Sequence, residues 1–333
     1  MKNAVIRAEG LSDQVRQVQL LPGVSRTFAL TIPQLPEPLC TVVTNAYLLC
    51  RIADTIEDDA ALTTARKAYF HEQLRSVVAA QASAVAFSEA LSAELSSQTP
   101  LSERELIQEI PAVIRCLRSF TTEQQNSLQQ CVNIMSTGMP DFQRTVNLNG
   151  LENLEQLNDY CYYVAGVVGE MLTELFCQYS PAIAQHRNQL AVLAVSFGQG
   201  LQMTNILKDF WEDKSRGVCW LPKDILSEVH EKEAFAIALR RLIVIALDHL
   251  RNAIKYTLLI PETETGIRRF SLWAIALAVL TLRNIYHNPY FQSGNEVKVS
   301  RRKVKTTVLI SNLIAGHNGL INYLFNCLTR NLI

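Results

Sequence analysis

The chain has no charge of one sign in excess: 31 Lys and Arg balance 31 Asp and Glu. No global basic field exists, and nucleic acid is excluded as the expected partner. Glycine is scarce, at 13 of 333 residues, while 48% of the chain is hydrophobic, so a large core is expected. None of the eight cysteines forms C-x-x-C. They sit in apolar helical patterns, which suits free buried thiols in a reducing compartment and excludes a disulfide frame or zinc site. No alternating pattern is long enough for a sheet. The first ten residues carry charges and no long apolar run, so no signal peptide is visible. The most apolar run, Leu272 to Leu282, is shorter than the about 20 residues a bilayer span needs. Membrane contact is therefore expected to be peripheral at most, and the location cytoplasmic, at the inner face of the membrane where contact occurs.

What is present is acidic and repeated. Asp54-Thr55-Ile56-Glu57-Asp58 and Asp209-Phe210-Trp211-Glu212-Asp213 both read D-x-x-E-D. Residues i, i+3 and i+4 share one helix face. Each copy thus stacks three carboxylates on one stripe, where like charges oppose the helix. A single copy reads most simply as a solvated face. Two copies, each following an apolar or small-residue run and each preceded by a basic residue, Arg51 and Lys208, fit a metal site better. Mg²⁺ commonly joins one or two carboxylates to substrate phosphates, so two facing carboxylate helices would hold a metal-bridged diphosphate.

The rest of the chain reads as helices. Residues 11–21 form a short one closed by Pro22-Gly23. Ser25 suits an N-cap, and Arg26 an ordinary surface charge. A helix spans Leu39 to Asp59, with Tyr47, Arg51 and Asp54 on one face. Helices are expected over 63–98, Leu101 to Phe120 with a break at Pro111, and Thr122 to Thr137. Gly138-Met139-Pro140 is read as a breaker. Leu151 to Cys177 is a helix whose Gly166 and Gly169 cost about 1 kcal/mol each relative to Ala. They serve close packing or leave room for a ligand. The next helix starts at Pro181 and runs through the second carboxylate set, with Gln202, Asn205 and Asp209 on one stripe. Ile225 to Val229, Glu231 to Leu259 and Arg268 to Tyr286 follow. The basic run 298–305 fits a solvated face, a phosphate contact or anionic lipid. Residues 306–330 form an amphipathic helix broken at Gly316, suited to packing or to a membrane surface. One all-α domain over residues 1–333 is expected.

Four segments carry a resemblance: S-R-T-F at 25–28, Y-L-L-C-R-I-A-D-T-I-E-D-D at 47–59, Y-C-Y-Y-V-A-G-V-V-G at 160–169 and Q-M-T-N-I-L-K-D-F-W-E-D at 202–213. Together they resemble the head-to-head trans-prenyltransferases, the family of squalene, phytoene and dehydrosqualene synthases, from about Ser25 to about Lys305. The resemblance implies a single all-α isoprenoid-synthase-type helical bundle around a central cavity. It implies Mg²⁺ held by Asp54, Glu57, Asp58, Asp209, Glu212 and Asp213. Diphosphate contacts fall on Ser25, Arg26, Arg51, Arg216 and Gln202. Tyr160 matches a tyrosine near the carbocation, and Tyr47, Phe28 and Phe270 match aromatic positions beside the reacting carbons. Two molecules of farnesyl diphosphate are the implied substrates.

The product divides the resemblance. D-T-I-E-D and Y-C-Y-Y-V-A-G look like squalene synthases, and V-K-V-S-R-R-K resembles their reductant-binding V-K-x-R region. Lys298 and Arg301 or Arg302 would meet NADPH phosphate there, with Asn205 nearby, although one extra residue leaves the arginine unassigned. R-G-V-C-W-L-P at 216–222 instead looks like the R-G-x-x-Y-L-P of phytoene and dehydrosqualene synthases. A bacterial-type squalene synthase is the expectation, since no C-terminal membrane anchor is visible. A non-reducing synthase is the alternative. A helical isoprenoid-binding scaffold without turnover would not need the carboxylate pair.

Overall fold

A computed structural model describes residues 2–25, 27–145, 147–226 and 232–332. Among these residues the structure is all-α, with no strand and one isolated bridge between Leu151 and Pro222. The Cα positions cluster as two compact units. One comprises Met1–Arg144 with Glu174–Tyr179, the other Thr145–Thr173 with Ser180–Ile333.

The first unit is built on α3 (Leu39–Asp58). Its Leu48, Leu49, Ile52, Ala53 and Ile56 are fully buried. Against it pack α1 (Lys2–Val24), α4 (Thr64–Val78), α6 (Leu101–Gln108) and α7 (Ile110–Arg118). The short α2 (Phe28–Thr31), α5 (Ala84–Glu94) and α8 (Thr122–Thr145) complete its helices. Three expectations need correction. The first helix does not stop at Pro22-Gly23 but carries Pro22 inside it, because Leu20, Leu21 and Val24 are all buried and hold the turn. The span 63–98 is two helices, parted at Ala80, whose φ is 62°, and restarted by Ser83, whose side chain caps α5. Gly138-Met139-Pro140 does not break α8, since Met139 is fully buried on its inner face. Pro111 does divide its region, at the start of α7.

The second unit centres on α12 (Arg187–Lys208), packed on α15 (Lys232–Leu259) and α16 (Thr265–His287). Before it come α9 (Leu154–Cys161), a π-helical turn over Tyr162–Gly166, α10 (Val167–Tyr179) and α11 (Pro181–Ala184). The single helices expected over 151–177 and from Pro181 onward are thus interrupted. Close backbone approach explains the glycines. A Cβ on Gly169 would lie 2.2 Å from the Ala194 carbonyl oxygen, and one on Gly198 2.1 Å from that of Ala165. Of the two roles open to Gly169, close packing is the one seen. The chain then forms α13 (Phe210–Ser215), α14 (Lys223–Leu226), α17 (Arg301–Ile314) and α18 (Asn318–Thr329). The end of the expected 225–229 segment falls in 227–231, outside the described residues.

None of the eight cysteines is in a disulfide; six are buried, Cys40 is half-buried and Cys327 exposed. The expectation that no segment is long enough to span a bilayer is corrected. Leu39–Asp58, Arg187–Lys208 and Thr265–His287 are each long and apolar enough by length and composition. No unbroken apolar run is needed for this, since these helices dilute a few polar residues over more than 18 positions. Half or more of each is buried inside protein.

Two outcomes test this packing. Gly198→Ala should lower the unfolding midpoint sharply, by about 1–3 kcal/mol of overpacking or more, because the clash is with backbone. Gly319→Ala, with nothing within 4 Å of the added methyl, should not. His71 on α4 is 1% exposed and neither ring nitrogen has a hydrogen-bond partner. Burial, helped by Lys67, lowers its pKa to about 4 from 6.5. The unfolded state then takes a proton that the folded state refuses. Stability is complete above the unfolded pKa and falls on acidification towards the folded one. Urea unfolding should show about 2 kcal/mol lost from about pH 7.5 to about pH 5, a loss that His71→Leu removes.

Candidate active site

In the first unit the acidic residues lie at the C-terminal end of α3. Glu57 is buried, Asp54 half-buried and Asp58 exposed. Arg51 stands one turn earlier, its Nη1 3.8 Å from Asp54 Oδ2. Its Nη2 makes a short ion pair with Glu103 of α6. Thr55 Oγ1 donates to the Arg51 carbonyl at 2.8 Å and lies 3.4 Å from Glu103. Burial works against the Arg51 charge, but Asp54 and Glu103 outweigh it and its pKa rises. Asp54 keeps 29% of its side chain open, yet the protein packed round its carboxyl pushes it up to about 7. Arg51 opposes that shift, while Asp58 and Glu103 add to it.

Asp59, next in the motif, does something else. Its Oδ1 accepts from Ala61 N and Leu62 N, and its Oδ2 from Ser96 N and Thr99 Oγ1. It ties the end of α3 to two loops. The Lys67 ammonium donates to the Glu57 carbonyl, and so completes a C-terminal carbonyl of α3.

Upstream, Ser25 Oγ accepts from Phe28 N at 2.9 Å, although the N-cap of α2 is Thr27 and not Ser25. The Tyr47 hydroxyl donates to the Val24 carbonyl at 3.1 Å, and its ring sits 5.1 Å from that of Phe28. Burial raises the Tyr47 phenol to about 12. Ser25, Phe28, Tyr47 and Arg51 thus belong to one neighbourhood. Arg26 lies outside the described residues.

In the second unit the acidic set is not on one unbroken helix, which corrects the expected stripe. Asp209 ends α12 and starts α13, with φ −95° and ψ 11°. The Asp213 N–H still bonds to the Asp209 carbonyl at 2.9 Å, so the one-turn relation survives the joint. Lys208 Nζ lies 3.1 Å from Asp209 Oδ2. Burial nevertheless raises the Asp209 pKa, Lys208 opposing and Glu212 adding. Asp213 is buried and paired with the exposed Arg216. Glu212 Oε1 accepts from Gly294 N at 2.8 Å, while its Oε2 is buried with no hydrogen-bond partner. A Cβ at Gly294 would stand 3.0 Å from the Lys208 carbonyl and 3.1 Å from Asp209 Oδ1. Only glycine lets the 288–297 loop come this close to both acids.

Tyr160 is 4% exposed and stacked on Trp220, with ring centroids 3.8 Å apart and planes within 8°. Phe270 is buried on α16. Gln202 is half-buried and Asn205 exposed, one turn before Asp209. Lys298, Arg301 and Arg302 are exposed at the start of α17, where Ser300 caps the helix. An apolar groove of about 630 Å³ lies between α12 and α15, lined by Val192, Leu193, Leu258 and Leu259 among others. It is roughly 24 Å along α12 from Asp209, so it is not part of the acidic site.

Glu103, Gly294 and Trp220 were not singled out from the sequence. Glu103 is an acid in the first turn of a helix, an ordinary position. Gly294 sits in N-P-Y-F-Q-S-G-N, whose turn chemistry signals a loop but not what it approaches.

Several comparisons bear on this arrangement. Residues 21–303 match the squalene/phytoene synthase family profile. Squalene synthase ERG9 of Saccharomyces cerevisiae is 28% identical over 328 residues, covering 92% of this chain and 68% of the yeast protein. Among solved structures, TcSQS with the ligand E5700 superposes with a TM-score of 0.76 at 23% identity, covering 96% of this chain and 91% of that one. A dehydrosqualene synthase in complex with ligand gives 0.67 at 21% identity, covering 92% and 98%. These two structures establish the fold.

The Arg51–Glu103 pair has its own test. Glu103→Ala should cost about 2–3 kcal/mol in urea unfolding, because a part-buried charge loses its main partner. Adding Arg51→Met should recover much of that loss; additive losses would mean that the pair is not coupled.

Proposed function

We propose, for a chain that belongs to the squalene/phytoene synthase family, the head-to-head condensation of two farnesyl diphosphates and NADPH-dependent reduction of the product to squalene. The protein is an enzyme of the farnesyl-diphosphate farnesyltransferase type. Residues 1–333 act as one catalytic domain, cytoplasmic and in peripheral contact with the inner face of the membrane.

The observation that carries the reading is the burial of carboxyl groups at two D-x-x-E-D sets. Asp54 and Asp209 both have raised pKa values, and Glu212 Oε2 is buried without a partner. Among the described residues no three His, Cys, Asp or Glu side chains converge to hold an ion by themselves. That donor set fits Mg²⁺, which completes its octahedron with substrate phosphate and water. Asp54, Glu57 and Asp58 would hold it at the first set, and Asp209, Glu212 and Asp213 at the second. When bound it would neutralise charge developing on the leaving diphosphate.

The protein's own groups do the rest. Arg51, Ser25, Arg26, Gln202 and Arg216 orient diphosphate oxygens. Departure of one diphosphate leaves an allylic cation. The second farnesyl double bond attacks it, and proton loss closes a cyclopropane. Ionisation of the second diphosphate and rearrangement follow. Aromatic faces stabilise cations, and Tyr160, Tyr47, Phe28 and Phe270 supply them. The buried apolar side chains of α16, including Leu272, Trp273 and Ile275, are suited to keep water from the cation. Lys298, with Arg301 or Arg302, suits the NADPH phosphate, with Asn205 assisting. NADPH would supply the hydride that quenches the final cation.

R-G-V-C-W-L-P at 216–222 favours a second reading, in which the product leaves unreduced as dehydrosqualene or phytoene. Purified protein given labelled farnesyl diphosphate and Mg²⁺ decides between them. Squalene formed only with NADPH is the expected result. The same polyene with and without NADPH rejects the reduction step and establishes the second reading. Asp54→Asn and Asp209→Asn should each cut turnover by roughly a hundredfold or more; wild-type rates in both would reject the catalytic assignment.

A further inference from the structure

After Glu296 the chain contains no acidic residue, yet Lys298, Arg301, Arg302, Lys303, Lys305 and Arg330 all follow it. The neutral total hides this concentration of positive charge. In α17 the positions Arg302, Lys305, Thr306, Leu309 and Leu313 recur at three- and four-residue spacing and so share one face. All five are exposed, Leu309 at 61% and Leu313 at 69%. The opposite face carries Ser311 and leads to Ala315, both buried. The helix is therefore oriented with cations and leucines outward. In α18, which packs on α17, Ile321, Phe325 and Thr329 point inward, while Leu320 and Tyr323 are 50% and 69% exposed.

Single exposed hydrophobics are ordinary. Here they continue a basic stripe on α17, whose cations make no ion pair among the described residues, and extend onto the adjacent α18. Nucleic acid would use the cations but not the leucines. An anionic bilayer uses both: basic side chains meet headgroups, leucines enter the acyl boundary, and a tyrosine suits the interface.

We propose that the outward faces of α17 and α18 form a docking surface for anionic lipid bilayers. This rests on the peripheral placement read above and supplies its residues. Lys303, Lys305, Leu309 and Leu313 lie outside the groups assigned to catalysis or reductant binding, so loss of lipid binding and loss of turnover are separable.

The test is flotation of the full chain with vesicles of equimolar phosphatidylcholine and phosphatidylglycerol, and with phosphatidylcholine alone. Binding to the first and not the second is expected. Lys305→Gln should weaken partitioning roughly fivefold. Leu309→Gln with Leu313→Gln should weaken it by about tenfold or more. Both variants should keep wild-type helicity and vesicle-free turnover, which shows that they fold. Equal binding to both vesicles, or to neither, overturns the proposal. So does duplex DNA binding lost only in the lysine variant with leucine variants still floating. A wild-type dimer that the leucine variant splits, with flotation unchanged, also overturns it and assigns the face to a second copy.

Discussion

Negative charge held where burial disfavours it is the constraint on which both acidic sites depend. In α3 the carboxylates of Asp54, Glu57 and Asp58 crowd one helix end, with Glu103 brought in from α6. Arg51 is a single cation shared between Asp54 and Glu103. At the α12–α13 joint Lys208 serves Asp209, Arg216 serves Asp213, and one oxygen of Glu212 is served by the Gly294 amide. Such an arrangement opposes helix stability and would be selected against if it only had to fold. On the proposed function, a divalent ion would relieve the repulsion and a polyanionic substrate would complete its coordination.

The fold tolerates this cost by binding its helices closely elsewhere. Gly169 lies against Ala194, and Gly198 against Ala165, so α12 meets the preceding segment through backbone. Gly200 meets α15 in the same way, where an added Cβ would reach His249 and Leu250. Each glycine loses about 1 kcal/mol of helix propensity. The gain is the dispersion contact of two backbones at short range. The segment that ends in Asp209 is thereby held along its length before the helix breaks.

The helices were largely legible from apolar periodicity, because buried faces such as Leu48, Leu49, Ile52 and Ile56 repeat at helical spacing. Their ends were less so. Pro22 and Gly138-Met139-Pro140 read as breakers by local propensity, yet burial of Leu21 and Met139 overrides them. The π-helical turn at Tyr162–Gly166 has no signal in residue spacing. Of the acidic residues, Asp54, Glu57, Asp58, Asp209, Glu212 and Asp213 stood out because the pattern repeats. Their partners Glu103 and Gly294 did not, since long-range pairing leaves no periodic trace in a single sequence. Asp59 shows the converse. It extends the acidic motif by one residue, but four donors occupy it structurally.

Total charge was the least informative quantity. A balance of 31 against 31 is compatible with acids and bases evenly mixed or sharply separated. Here they are separated in part: six carboxylates gather at two helix ends, and no acidic residue follows Glu296. Screening over about 8–10 Å at physiological ionic strength means a ligand senses the local sign and not the sum. On the two proposals, a divalent ion at Asp209 and a headgroup phosphate at Lys305 would each meet an attractive field on a molecule that is neutral overall. Exclusion of partners from net charge holds only for partners large enough to average over the whole surface. It has no force for a divalent ion, a diphosphate or a patch of headgroups.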